Sequence, residues 1–417
     1  MRLGTVRLTG EPDGDAGRVA PPGLPWTRLD DTLVYWTEDD DLWASAAERA
    51  RVSDLRPEER PAPARPADLR LVTQVGRAFQ HEHPDVPVLV DKGRYLIIAA
   101  SDALLPRIAP RAEVCFRVEP LPAEGVVFRT LPRAERAPVP YIEALTGQLS
   151  GERYLEVLGE LVAFGTRHSL SRGFGAAAAL ARDRLEELGY IARLAPINVG
   201  PGRCHNVIAD RQGSGAPAVR GLVMLTAHLD SVNLAGGPSA PAPGADDNAS
   251  GAAGLLEIAR VLAGHQTHDD IRLILFGGEE QGLHGSTQYV ASLGPTEAAR
   301  IKAVVNMDMI ATLNTARPTV LLEGAALSKG LIDSLAAAAA GYTGLAVQSS
   351  LNPFNSDHVP FIDASIPAVL TIEGSDDANT HIHTAGDTLD HINTDLALDI
   401  LRMNLATLTQ AADPPTP

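Results

Sequence analysis

A chain of 417 residues is longer than one ordinary domain requires, and with 45% hydrophobic residues it can bury a large core, which excludes a disordered protein. A net charge of −17 repels phosphate backbones and argues against nucleic acid as the main partner. Two cysteines, Cys115 and Cys204, do not make a disulfide framework and are expected to be small buried hydrophobes.

The first residues, MRLGTVRLTGEPDGD, lack the apolar core of a secretion signal. No apolar run approaches the roughly 20 residues of a membrane helix. The expectation is a cytoplasmic protein with no membrane partner. Up to about residue 140 the chain carries Pro-rich stretches at 57–70 and 129–140. Between them lie short strand-like runs, LRLVTQV, VPVLV, RYLIIAA, EVCFRVE and GVVFRT. Residues 1–140 are therefore expected to form a smaller β-rich or α+β accessory domain, with no motif that carries chemistry.

From residue 141 to 417 the pattern becomes alternating helix and strand. Apolar spacing predicts helices over 153–165, 175–190 and 251–265. The runs CHNVIAD, GLVMLTAHLD, DIRLILFGGEE, AVVNMDMI and PAVLTIEG have the length of buried strands. Strands apolar on both faces with helices between them predict an α/β fold: a mixed, mostly parallel sheet covered by helices on both faces. The C-terminal PPTP is expected to fray.

The chemistry-bearing residues fall at strand ends, where open α/β sheets bind ligands. LVMLTA runs into His228 and Asp230, LILFGG into Glu279 and Glu280, and AVVNM into Asp308. AVLTIEG leads toward the loop with His383, and GADDNASG brings Asp246 and Asp247 to the start of a helix. Histidine with carboxylate suits zinc or a similar divalent ion. Two ions about 3.5–4 Å apart need a shared anion to offset their repulsion, and an ion acidifies water to a nucleophile near neutral pH. Each piece has an ordinary structural explanation: HxD as a hydrogen-bonded pair, DDNAS as a helix cap, Glu279–Glu280 as a solvated loop. Asp308 amid apolar residues resists that, since a buried acid is costly unless bonded. Together, five segments converging on one sheet edge point to a site.

Six motifs carry a resemblance: AHLDS (227–231), GADDNASG (244–251), GGEEQGLHGS (277–286), NMDM (306–309), SDHVPF (356–361) and IHTAGDT (382–388). In this order they resemble the co-catalytic di-zinc aminopeptidases related to bacterial leucyl and streptomycete aminopeptidases. The resemblance covers about 141–412 and leaves the first 140 residues unexplained. It implies two zinc ions and hydrolysis at the free amino end of a peptide or small aminoacyl substrate. Asp246 would bridge the ions, with His228 and Asp308 completing one shell and Glu280 and His383 the other. Glu279 would be the general base, and Asp230 would accept the other ring N–H of His228. The resemblance also implies a cis peptide at Asp246–Asp247.

The sequence departs from the family pattern in one place. Relatives often carry a tyrosine shortly before SDH, where this chain reads LNPFNSDH. His358 is read as a core or supporting histidine, and His205, His265, His268, His284 and His391 as packing or surface residues. The rivals are a glutaminyl cyclase-like acyltransferase and a deacylase or carboxypeptidase with the same kind of centre. Ile382 before His383 and the compact GEEQGLHGS favour the hydrolase over the cyclase.

Overall fold

The structure is a computed structural model and describes residues 1–8, 15–63, 65–109 and 115–413. The C-terminal PPTP lies outside the described residues. The chain forms two compact units. The first comprises Met1–Pro132 together with two later segments, Gln348–Asn352 and Ser375–Ala378; the second holds the remainder. The expected division at residue 140 is thus replaced by one at Pro132, and the first unit is not continuous in sequence.

In the first unit, β1 (Arg2–Arg7), β2 (Trp26–Leu29), β3 (Thr32–Thr37) and β4 (Pro57–Arg60) form antiparallel pairs β2–β3, β3–β1 and β1–β4. A second, antiparallel sheet has the order β6–β7–β5–β8, from β5 (Leu69–Gln74), β6 (Val88–Lys92), β7 (Tyr95–Ala99) and β8 (Phe116–Pro120). These and β9 (Gly125–Thr130) match the strand-like runs seen in the sequence. β1 to β4 were not foreseen: RLGTVR and WTRL do not alternate apolar with polar, and PEER is exposed throughout.

The later segments are built into this unit by specific bonds. Gln348–Ser350 pair antiparallel with Phe128–Thr130 of β9. Asn352 accepts from Arg117 at 2.7 Å and donates to Thr73 at 2.8 Å. Asp376 forms a buried ion pair with Arg94 at 3.0 Å. Burying such a pair is worthwhile only with both partners present, so the segment depends on Arg94.

In the second unit, β10 (Ile191–Val199), β11 (Gly202–Arg211), β12 (Leu222–His228), β13 (Asp270–Phe276), β14 (Ile301–Met307), β15 (Thr319–Glu323) and β17 (Ala368–Glu373) stand in the order β10–β11–β13–β12–β14–β17–β15; β16 (Ala346–Ser350) spans the unit boundary. The middle four, β13–β12–β14–β17, are parallel, and the outer pairings are antiparallel. The mixed sheet is as predicted, with the parallel pairings confined to its centre. Helices Gly151–Val162, Arg172–Glu187 and Gly251–Ala263 fall where the apolar spacing puts them. Gly251–Ala263 is buried at all but two of its positions, as a helix lying within the core should be. Lys329–Tyr342 and Thr394–Ala412 supply further cover. No helix among the described residues is long and apolar enough to cross a membrane.

The link at 133–140 is exposed and carries no regular structure before Pro140. A protease site engineered there should be cut readily. Because the first unit also contains 348–352 and 375–378, the two fragments should still co-elute on size-exclusion chromatography without denaturant. Separation of the fragments would show that these segments do not hold the unit together.

Candidate metal centre

The four parallel strands end almost level. In the pairing register, Ala227 faces Leu275 on one side and Met307 on the other, and Met307 faces Thr371. The residues that follow each strand therefore emerge at one edge: His228 to Asp230, Gly277 to Glu280, Asp308, and the loop after Glu373 that reaches His383. This is the strand-end arrangement read from the sequence.

At that edge, His228 Nε2 lies 3.2 Å from Asp308 Oδ1 and 3.3 Å from Asp247 Oδ1. His383 Nε2 lies 3.0 Å from Asp247 Oδ2 and 3.1 Å from Glu280 Oε2. With zinc bonds of about 2.0–2.1 Å and tetrahedral angles, two donors on one ion stand roughly 3.3 Å apart. The observed separations suit that spacing. Oε1 of Glu280 is buried and has no hydrogen-bond partner among the described residues. A buried carboxylate oxygen without a donor is costly, and a cation is the natural remedy. The donor set and its spacing fit zinc.

The residue between the histidines is Asp247, and this corrects the expectation for Asp246. The Asp246 carboxylate accepts from the Ala311 N–H at 2.9 Å and from the Asn379 amide at 2.9 Å, so both its oxygens are engaged elsewhere. The cis peptide is at Asp247–Asn248, one residue later than expected. Asp387 fixes this turn, its two oxygens accepting the backbone N–H groups of Asp246 and Asp247, each at 2.9 Å. Asn248 completes it, donating to Met307 O at 2.9 Å and accepting from Gly251 N–H at 2.9 Å.

Asp230 is also placed differently in detail. The atom nearest His228 Nδ1 is the Asp230 carbonyl oxygen at 3.2 Å, with the carboxylate at 3.7 Å. A ring N–H facing that carbonyl leaves the Nε2 lone pair toward Asp247 and Asp308. The Asp230 carboxylate instead accepts the backbone N–H groups of Glu279 at 3.3 Å and Glu280 at 3.2 Å. It thereby holds the tandem glutamates in place.

The electrostatics follow from burial. Burial lifts Glu279 well above the usual carboxylate range, with Asp308 and Asp357 adding to it, and lifts Glu280 to about 7. Burial opposes charge on His228, but Asp308 and Glu279 outweigh it and raise the imidazole well above its ordinary value. Asp247 goes the other way: burial works against ionisation, yet the two histidines hold its carboxyl well below the usual range.

Other residues were not singled out from sequence. Ser356 donates to Asp308 Oδ2 at 2.7 Å and accepts from Asn306 at 2.9 Å. Asp357 is fully buried, and burial pushes it up to about 7. Flanked by Ser356 and His358, it carries no sign in sequence of its burial. His358 is fully buried beside Glu323 at 3.5 Å, a supporting position. His265 pairs with Asp413, His268 with Asp269, and His391 stacks on His381, which are packing roles. Cys204 is buried and Cys115 half-buried, both free thiols.

Residues 206–408 match the profile of peptidase family M28. A probable zinc metalloprotease of Pyrenophora teres f. teres is 30% identical over 336 residues, spanning 66% of this chain and 69% of the relative. The aminopeptidase YwaD of Bacillus subtilis is 34% identical over 175 residues, spanning 41% of this chain and 37% of that protein. Among solved structures, BSAP, a zinc aminopeptidase from Bacillus subtilis, superposes with a TM-score of 0.57 at 18% identity, over 64% of this chain and 97% of its own. Legionella pneumophila LapA aminopeptidase superposes with 0.59 at 19%, over 82% and 98%. At those identities the structural likeness establishes the fold. With His, Asp and Glu gathered at the carboxyl edge of its sheet, the chain belongs to peptidase family M28 and is a zinc-dependent peptidase.

Proposed function

We propose that the protein is an aminopeptidase with two zinc ions sharing the Asp247 carboxylate. The observation that carries this is the position of Asp247, one oxygen toward His228 and the other toward His383. Asp308 beside His228 and Glu280 beside His383 would complete the two sets. Zinc held there supplies an acidified water and polarises the scissile carbonyl.

The chain's own residues do the rest. Asp230 orients the Glu279–Glu280 backbone, so that one glutamate serves the ion and the other is free for proton transfer. Glu279, buried and raised, would take a proton from the attacking water and return it to the leaving amine. With Glu280 and Asp308 given to zinc, Glu279 is the carboxylate left to meet a substrate ammonium. Relatives named as aminopeptidases support the same reading.

The first unit is proposed to be a permanent part of the enzyme and not a removable propeptide. The support is internal: strand pairing at 348–350 and the Arg94–Asp376 pair both lie within it, after the link in sequence.

Three outcomes test the proposal. Glu279→Gln should lower kcat by about 10²–10⁴-fold while zinc content stays at the wild-type level. Loss of zinc with this change would mean that Glu279 is a ligand. Asp247→Asn should bring bound zinc below the wild-type stoichiometry, measured by elemental analysis after dialysis. Asp246→Asn should retain more zinc, because its oxygens answer backbone and amide donors. The reverse order would restore Asp246 as the bridge, and a wild-type maximum of one ion per chain would end the two-zinc reading. Substrates with a free α-amine should be cleaved far faster than their N-acetylated forms. A preference for blocked substrates would mark a deacylase, and release of cyclised glutaminyl products a cyclase.

A further inference from the structure

Arg167 is fully buried, and its guanidinium meets backbone carbonyls. Nε donates to Leu229 O at 2.9 Å, Nη1 to Pro243 O at 2.5 Å and Leu161 O at 3.2 Å, and Nη2 to Gly244 O at 2.8 Å. Its own backbone N–H donates to Ser231 Oγ at 3.1 Å, and that hydroxyl donates to Ala242 O at 2.8 Å. A buried cation without a carboxylate at hydrogen-bond distance is expensive, and here burial pulls the guanidinium down to about 10. Overall stability could be met more cheaply by an apolar side chain, so the position of the bonds matters.

Those bonds join two stretches that are far apart in sequence. Leu229 directly follows His228, and Leu229 and Ser231 flank Asp230. Pro243 and Gly244 directly precede Ala245, Asp246 and Asp247. One planar fork thus sets the spacing between the strand end with His228 and the turn with Asp247. The turn is shaped for this approach. Gly244 has φ +53°, and a Cβ there would stand 2.4 Å from Asp247 O, 2.5 Å from Ser231 Cβ and 3.0 Å from Arg167 Nη2. The net positive charge lies behind Asp247, Asp230, Glu280 and Asp387, which raise its hold on the proton.

We infer that Arg167 is a positioning residue for the zinc centre, its fork of carbonyl hydrogen bonds holding the His228 strand end and the Asp247 turn at the separation the metal requires. The inference rests on the metal roles proposed above for His228 and Asp247. Lysine keeps the charge but cannot reproduce a planar fork. An electrostatic role would survive that change, and a positioning role would not.

The test uses the full chain with Arg167→Lys and Arg167→Met. Zinc affinity is measured on metal-free protein by chelator competition. Hydrogen exchange is followed at 229–250 and, as an internal reference, at β12 to β14. Both Arg167 variants are expected to bind zinc at least 10-fold more weakly, with exchange faster at 229–250 and little changed in the strands. In the zinc-saturated state kcat should fall more than KM rises. If Arg167→Met does not fold, Arg167→Lys, which keeps the charge, carries the test. Zinc affinity within twofold of wild type in Arg167→Lys would overturn the inference in favour of charge alone. Equal loosening of 229–250 and the strands would overturn it in favour of general stability. A wild-type protein that binds zinc but spares free amino termini would sink the aminopeptidase reading and leave this inference standing.

Discussion

Asp247, Glu279, Glu280 and Asp308 are held with two imidazoles in a space a few ångströms across, mostly out of water. Like charges at that spacing repel strongly in a medium of low dielectric. The surrounding structure is organised to supply what keeps them there. The parallel strands β12, β13, β14 and β17 end level and act as a rigid rim. The loops beyond them are pinned by backbone hydrogen bonds to buried acids, Asp230 under the tandem glutamates and Asp387 under the Asp246–Asp247 turn. Cationic metal is the remaining requirement, which is why the site makes sense as a zinc centre and not as a cluster of acids.

Adjacent residues in this network have opposite tasks. Asp247 faces the histidines, which keep it ionised. Asp246, next in the chain, faces inward to Ala311, Asn379 and the buried Glu373, and burial raises both acids. Glu373 accepts the Thr312 N–H and the Asn314 amide, so the strand end β17, the turn and the loop beyond Met309 share one hydrogen-bonded layer. That layer borders Asp247 and Asp308 in the chain and limits how far they can move. Such supporting bonds decide ligand geometry as surely as the ligands themselves.

The first unit was less legible. Its sheets were legible as strand-rich from apolar runs at 69–130, but its extent was not. Segments 348–352 and 375–378 carry no sign in sequence that they pair with β9 or meet Arg94. Strand pairing and ion pairs between residues hundreds of positions apart depend on chain topology, which local composition does not report. The missed strands do not alternate either: β1 to β3 are buried by their neighbours almost throughout, and β4 is exposed throughout.

The sequence by itself determined the class of fold, the helices at 151–187 and 251–263, and the chemistry of the centre. Apolar runs of strand length have to be buried, and histidine and acids from five segments converging on their ends point together to a cation site. It did not determine which of two neighbouring aspartates meets the histidines, what the Asp230 carboxylate holds, or that Arg167 ties the two ligand-bearing segments together. Asp246 and Asp247 differ by one peptide step and have the same side chain. Their roles are separated only by where Asp387, Ala311 and Asn379 stand once the loops have closed, and that is a property of the tertiary structure alone.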